Sequence, residues 1–247
     1  MIKAANIMGP SPEPAPQGTQ TRLRYIAFMD ILGFKDLVLG EPSLERFRCK
    51  YQDIFFPSQN AVLNQNIEYR LFSDSLVVGV HHCTPDQEIV NLLNFCSEFL
   101  STTLRMHFPI RGTIAFGNVL WDEHVVVGPP IIEAVQYEQS QEWIGIMLAP
   151  STTRQLASNP SLLSFVQERL VHYEVPAKAA ADQHARMAAL CVIPAFRTKH
   201  DLEELSAALE QIGLQGGSAA ATQKAQHTRD FLRYLRKLRF SGSAPKA

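Results

Sequence analysis

Apolar residues recur along this chain with two different periods, and the changes of period mark its elements. Leu23 to Met29 is a dense β-branched and aromatic run, which predicts a buried strand. It ends on Asp30, and Leu32-Gly33-Phe34 suits a tight turn into a helix, with Asp36 to Gly40 turning on through Glu41-Pro42-Ser43. Leu44, Phe47, Tyr51, Ile54 and Phe55 then return at the three-to-four spacing of one helix face. Ile67–Phe72 and Leu76–Val80 predict two strands joined by Ser73-Asp74-Ser75, a hairpin with Asp74 at its tip. Thr84 is the expected N-cap of a helix with Pro85 in its first turn and Ile89, Leu92, Leu93, Cys96, Phe99 and Leu100 facing the core.

The second half alternates in the same way. Pro109 to Trp121 predicts a strand whose glycines allow close backbone approach, and Glu123 to Val127 returns across a hairpin. Gly128-Pro129-Pro130 opens a helix through Glu138, and Trp143 to Leu148 is a further strand. Ser151 to Leu170 is helical with an interruption at Asn159-Pro160, and His172–Val175 and Ala188–Ile193 form a final strand pair. Leu202, Leu205, Leu209 and Ile212 mark one C-terminal helix, Gly213 to Ser218 a break, and Thr222 to Arg239 a second helix with Phe231, Leu235 and Leu238 on one side. The expected organisation is a flexible proline-rich tail over 1–21, an α+β domain over 22–200 and a helical appendage over 201–247. The fold class is α+β, an antiparallel-rich sheet covered by helices.

Composition narrows the function. With 46% apolar and 19% charged residues the 247-residue chain reads as an ordinary globular protein, and a net charge of −1 favours neither nucleic acid nor a membrane surface as partner. No apolar run reaches the ~18–20 residues of a membrane span, and no secretory start is legible. Cys49, Cys83, Cys96 and Cys191 are scattered without zinc-site spacing, as expected of free thiols, so a cytoplasmic location is expected. His81-His82 has no ligand-like partner spacing and reads as loop, and the arginines and lysine from Arg229 to Arg239 read as a solvated face or a phosphate or subunit contact.

The candidate chemistry sits on Asp30 and Asp74. Hard divalent ions take carboxylate oxygen, and two aspartates at strand ends are able to hold Mg²⁺ or Mn²⁺ against a triphosphate. The amides of Leu32, Gly33 and Phe34 at a helix start suit phosphate oxygens. The same aspartates also fit the role of turn caps, and spacing alone does not separate the two.

Phe28-Met29-Asp30-Ile31-Leu32-Gly33-Phe34, then Phe72-Ser73-Asp74, then Arg111-Gly112 with Gly117 resembles the class III nucleotidyl cyclase catalytic domain over Tyr25 to Ile193. The particular form, with Lys35 after the first motif and Ser75 after the second, resembles the pyrimidine cyclases of bacterial Pycsar antiphage systems. The resemblance implies Asp30, Asp74 and the carbonyl of Ile31 as ligands of two divalent cations, Mn²⁺ or Mg²⁺. It implies Lys178 as a holder of the terminal phosphates and Arg70 as the base-recognising residue, an arginine fork donating to pyrimidine carbonyls. It further implies a homodimer with composite sites, UTP as substrate, 3′,5′-cyclic UMP and pyrophosphate as products, and a functional link to a separate cyclic-nucleotide-binding effector.

Departures from the family pattern are part of the reading. The family's transition-state asparagine and arginine fall on Ile132 and Gln136, its base-selecting aspartate falls near Val125, and an arginine often found after the Arg-Gly strand is Asn118. Arg111 is the candidate replacement for the missing catalytic charge, with support of the fold or dimer as its other reading. Tyr51 is a candidate aromatic wall stacking on the base, with core packing as its other reading. A cytidylate cyclase and a catalytically inactive cyclase-like nucleotide-binding module are the alternatives.

Overall fold

The computed structural model describes residues 21–55, 66–80, 84–178, 186–216 and 218–240, so most of the proline-rich segment and His81-His82 lie outside the described residues. The chain runs β1 (Arg22–Ile31), α1 (Phe34–Gly40), α2 (Leu44–Phe55), β2 (Ile67–Phe72), β3 (Ser75–Val80), α3 (Pro85–Arg105) and β4 (Ile110–Trp121). It continues β5 (Val126–Val127), α4 (Pro129–Ser140), β6 (Gly145–Leu148), α5 (Pro150–Ala157), α6 (Pro160–Val166), β7 (Leu170–Pro176), β8 (Arg186–Val192), α7 (Lys199–Gln215) and α8 (Ala219–Phe240). The sheet has the order β2-β3-β1-β4-β6-β8-β7, with β5 paired to the far end of β4. Every pairing is antiparallel except β4 with β6.

Strand β1 lies between β3 and β4, and helices cover both of its faces. That double burial explains its unbroken apolar run, since a one-sided strand would alternate. Tyr25, Ala27, Met29 and Ile31 join the main core beneath α3, while Ile26 joins a smaller cluster with Ala115, Val119, Ala134 and Ala149 on the α4 side. By the strand's period of two, Phe28 and Asp30 share the face of Ile26. Gly112 sets the spacing of β1 and β4, because a Cβ there would lie 2.6 Å from Met29 Cγ and 2.9 Å from the Phe28 carbonyl oxygen.

The expectation for α3 is met in position and face, whereas in α2 Leu44, expected on one face with Phe47 and Tyr51, is 72% exposed. Thr84 caps α3 in a capping box with Gln87, and the six expected core residues of α3 are buried. The break at Asn159-Pro160 is a restart, with the Asn159 side chain accepting from the Leu162 amide to cap α6. One local difference is α1. The segment Asp36–Gly40, read as a turn, completes a seven-residue helix from Phe34 that buries none of its residues fully, so its sequence carries no strong apolar stripe.

The C-terminal helices pack into the main core. Leu202, Leu205, Leu209 and Ile212 of α7 and Ala225, Phe231, Leu232 and Leu235 of α8 belong to the same apolar cluster as α3. Phe231 meets Trp143 edge-on at 5.0 Å and Tyr173 at 4.8 Å. Buried Thr228 donates to the Ile144 carbonyl at 2.9 Å and accepts from the Ile144 amide at 2.8 Å, filling the place of a neighbouring strand just ahead of β6. Among the described residues no helix is long and apolar enough to cross a membrane.

A buried ionic cluster closes the β1–β2–α3 corner. Arg24, 2% exposed, bonds Glu68, Glu88 and the Val80 carbonyl, and the Tyr25 amide donates to Glu88. One guanidinium serves two carboxylates, so burial pushes the Glu88 carboxyl up to about 7 although Arg24 and the Tyr25 amide pull the other way. Between the ordinary glutamate range and about 7 the folded protein therefore holds a proton that the unfolded chain releases. This contribution to stability is fully present below the unfolded value and is lost as pH rises through about 7. Glu88→Gln should flatten the fall in melting temperature between about pH 5 and pH 7, read by thermal denaturation across that range.

Candidate active site

Asp30 is the next-to-last residue of β1, and the ladder sets it opposite Ser75 of β3 and Arg111 of β4. Asp74 is half-buried in the two-residue β2–β3 turn beside it, and the Ile31 amide donates to the Asp74 carbonyl at 2.9 Å. The two aspartates thus meet through strand pairing. Ser75 Oγ donates to Asp30 at 3.4 Å. The Asp30 carboxyl is pushed up to about 6 by burial first, then by the negative charges of Glu138 and Asp74, with Arg111 and the Ser75 hydroxyl acting in the opposite sense. Excess negative charge at a partly open position is an environment that a cation relieves.

The turn after β1 depends on a glycine. Gly33 sits at φ +70° as the N-cap of α1, and a Cβ there would meet nothing within 4 Å, so the backbone conformation rather than space requires it. The expected trio of amides is reduced to two. The Leu32 amide donates to the Pro109 carbonyl at 2.8 Å and is not available, whereas those of Gly33 and Phe34 have no bond among the described residues.

Arg111 is beside Asp30 but is not a free catalytic cation. Its Nε bonds buried Glu138 at 2.5 Å and its Nη1 donates to the Gln141 carbonyl at 2.7 Å, with the arginine 6% and Glu138 2% exposed. The pair ties β4 to the last turn of α4, as the fold-support reading of Arg111 expects. Tyr51 also differs from an open stacking wall. Its ring meets Phe34 and Phe47, and its hydroxyl donates to the Ser73 carbonyl. Burial and Asp74 push the phenol up to about 12.

Arg70 and Lys178 are not brought to the aspartates within one chain. Arg70 Nη2 donates to the Asp122 carbonyl at 2.6 Å, its guanidinium lies 5.6 Å over the Trp121 ring, and its Nε is buried without a bond among the described residues. Lys178 lies just past β7, where its amide donates to the Ser140 carbonyl and its Nζ is 3.7 Å from Glu142. Ile132 and Gln136 lie exposed on α4, where neither supplies a charge. Glu138 and Ser75 are the contributors that the pattern of the sequence did not reveal. A glutamate near a helix end and a serine after a turn carry no local mark of an influence on Asp30.

Among the described residues no group of three or more His, Cys, Asp or Glu side chains is placed to hold a metal ion. The donors expected from the sequence, Asp30, Asp74 and the Ile31 carbonyl, are all hard oxygen, a chemistry that suits Mg²⁺ or Mn²⁺. Breaking the supporting pair has a calculable cost. Glu138→Ala should destabilise the fold by about 3–5 kcal/mol by leaving Arg111 buried and unpaired, and Arg111→Met with Glu138→Leu should recover most of it in urea denaturation.

No protein-family model matches the chain, and no curated protein matches its sequence. Solved structures do match in shape. The catalytic core of a rhodopsin-guanylyl cyclase with converted specificity, in complex with ATPalphaS, is 14% identical, with a TM-score of 0.51 covering 72% of this chain and 100% of that one. The dimeric guanylyl cyclase domain of the RhoGC fusion protein from the aquatic fungus Blastocladiella emersonii is 14% identical with a TM-score of 0.51, covering 71% of this chain and 98% of that one. The chain has the fold of a class III cyclase catalytic domain, a mixed sheet with covering helices.

Proposed function

We propose that this chain is a nucleotidyl cyclase that converts UTP to 3′,5′-cyclic UMP and pyrophosphate. The observation that carries the reading is the paired placement of Asp30 and Asp74 at the end of the central strand, with uncompensated negative charge on Asp30. Two divalent cations, Mn²⁺ or Mg²⁺, bound there would neutralise the triphosphate and favour the ribose 3′-oxyanion. In the proposed reaction the 3′-oxygen forms a bond to the α-phosphorus, the bond to the pyrophosphate oxygen breaks, and the 3′-hydroxyl proton leaves to solvent. Asp30, Asp74 and the Ile31 carbonyl hold the ions, and the Gly33 and Phe34 amides donate to phosphate oxygens. Holding the ribose and phosphate in line supplies the rest of the rate enhancement, with no covalent enzyme intermediate.

A homodimer with composite sites is part of the proposal. Arg70 and Lys178 do not reach the aspartates of their own chain, and a second copy would bring them there. Phe72, two residues before Asp74, is 84% exposed, and Val125, Val127 and Ile132 are also exposed on the β4–β5 hairpin and α4. Large apolar side chains left in water around the hairpin suit burial against another copy. A pyrimidine is supported by the identity of Arg70, an arginine where a purine cyclase places lysine; in the single chain its Nη1 and Nη2 donate to the Tyr69 and Asp122 carbonyls, and base recognition would require their release. The antiphage role, with cyclic UMP read by a separate effector, is supported by the motifs at Asp30 and Asp74 alone.

The inactive-module reading has one observation in its favour, namely that Arg111 is committed to Glu138 and Gln141. Incubating the folded protein with each ribonucleoside triphosphate and Mn²⁺, with products resolved by mass, separates the readings. Cyclic UMP is expected, cyclic CMP would move the substrate to CTP, and no cyclic product would leave a binding module. Asp74→Ala should lower turnover by at least ~100-fold, since a metal's charge stabilisation is worth several kcal/mol. Arg70→Ala should raise KM for UTP ~10-fold, about 1.4 kcal/mol, or change the base preference. Unchanged kinetics with all four substrates would remove Arg70 from the site.

A further inference from the structure

The β2–β3 turn that carries Asp74 is under local backbone constraint. Ser73 sits at φ +57°, in the left-handed region that a residue with a Cβ visits at a cost of order 1 kcal/mol. The pairing Phe72↔Ser75 leaves Ser73 and Asp74 as the two central residues of the hairpin, so the conformation of Ser73 sets the direction of Asp74. Two bonds hold this turn from outside it. The Ile31 amide grips the Asp74 carbonyl from β1, and the Tyr51 hydroxyl grips the Ser73 carbonyl from α2. Tyr51 is itself fixed, with its ring 5.4 Å from Phe47 and 6.2 Å from Phe34, and Phe34 is the first residue of α1.

We propose that Tyr51 is a positioning residue whose hydroxyl clamps the Ser73 carbonyl and so holds Asp74 beside Asp30 in the geometry that binds the cation. A single phenol then links α2, the turn after β1 and the hairpin tip. The ring supplies location by packing, and the hydroxyl supplies the hold. The aromatic wall expected from sequence is thereby replaced by a hydrogen bond to the backbone of the metal turn. This role rests on Asp74 being a metal ligand, but the clamp itself is a property of the protein without metal.

The two levels are tested separately with Tyr51→Phe, which keeps the ring and removes the hydroxyl. In the metal-free protein, hydrogen–deuterium exchange of the Ile31 amide reports opening of the turn, because that amide donates to Asp74. Loss of one hydrogen bond should speed its exchange ~5–10-fold while amides in the middle of α3 stay unchanged. Mn²⁺ binding, followed by the paramagnetic resonance signal of the free ion, should weaken by ~5–10-fold. Wild-type exchange at Ile31 in the variant overturns the clamp whether or not metal binds. Faster exchange with unchanged Mn²⁺ affinity overturns the link to Asp74. A Tyr51→Phe protein like wild type in both, with Tyr51→Ala altering only the preference among triphosphates, would return the residue to base stacking. If wild type binds no Mn²⁺, the cyclase proposal fails, and the link to the cation falls with it. The exchange result still decides the clamp.

Discussion

A buried central strand that carries ionisable side chains near both ends is the constraint on which the rest of the structure depends. Near the start of β1, Arg24 is shared by Glu68 and Glu88, and near its end Asp30 faces Arg111, Glu138 and Asp74. Each cluster has more carboxylates than guanidinium groups. Buried charge without full compensation is costly, so each cluster must gain a proton, a cation or extra hydrogen bonds. The first is closed in by β2 and α3 and has the Tyr25 amide as its additional donor. The second lies beside an accessible hairpin tip, where compensation from a cation is open to it.

The frame around Asp30 is built to resist movement. Strand β1 pairs with β4 along its whole length and with β3 over Ala27–Asp30, Gly112 lets β4 approach it closely, and Gly33 turns the chain shortly beyond Asp30. The Arg111–Glu138 pair fastens β4 to α4 behind the carboxylate. These contacts leave little freedom for Asp30. The hairpin tip has fewer restraints, since Asp74 sits in a two-residue turn at the end of a strand pair close to the sheet's edge. In the proposed site, holding the two aspartates together requires restraint of the looser one, which gives the bonds to Ser73 and Asp74 their importance.

The distribution of cationic side chains shapes the proposed chemistry. Arg111 is spent inside the fold, Arg70 lies over Trp121, and Lys178 lies beside Glu142. A single chain therefore concentrates negative charge at the aspartates and keeps its positive charge elsewhere. In the proposed reaction, neutralisation of the triphosphate would come from metal ions and from a second copy. The exposed Phe72 beside the hairpin tip is consistent with that arrangement, because a lone chain gains nothing by leaving it in water.

The elements and their order were legible from the sequence. The uninterrupted run into Asp30, the hairpin around Asp74 and the capped, striped helix from Thr84 are local patterns set by backbone period and turn chemistry. The motif residues Asp30, Gly33 and Asp74 were legible for the same reason, since each marks an end or a turn. The partners of each side chain were decided only by tertiary structure. The commitment of Arg111 to Glu138, the loss of the Leu32 amide to Pro109 and the bond from Tyr51 to Ser73 all join groups distant in sequence. No local period encodes such contacts. They arise because strand register and helix docking fix which of many polar groups share a buried volume, and burial then forces those groups to bond one another.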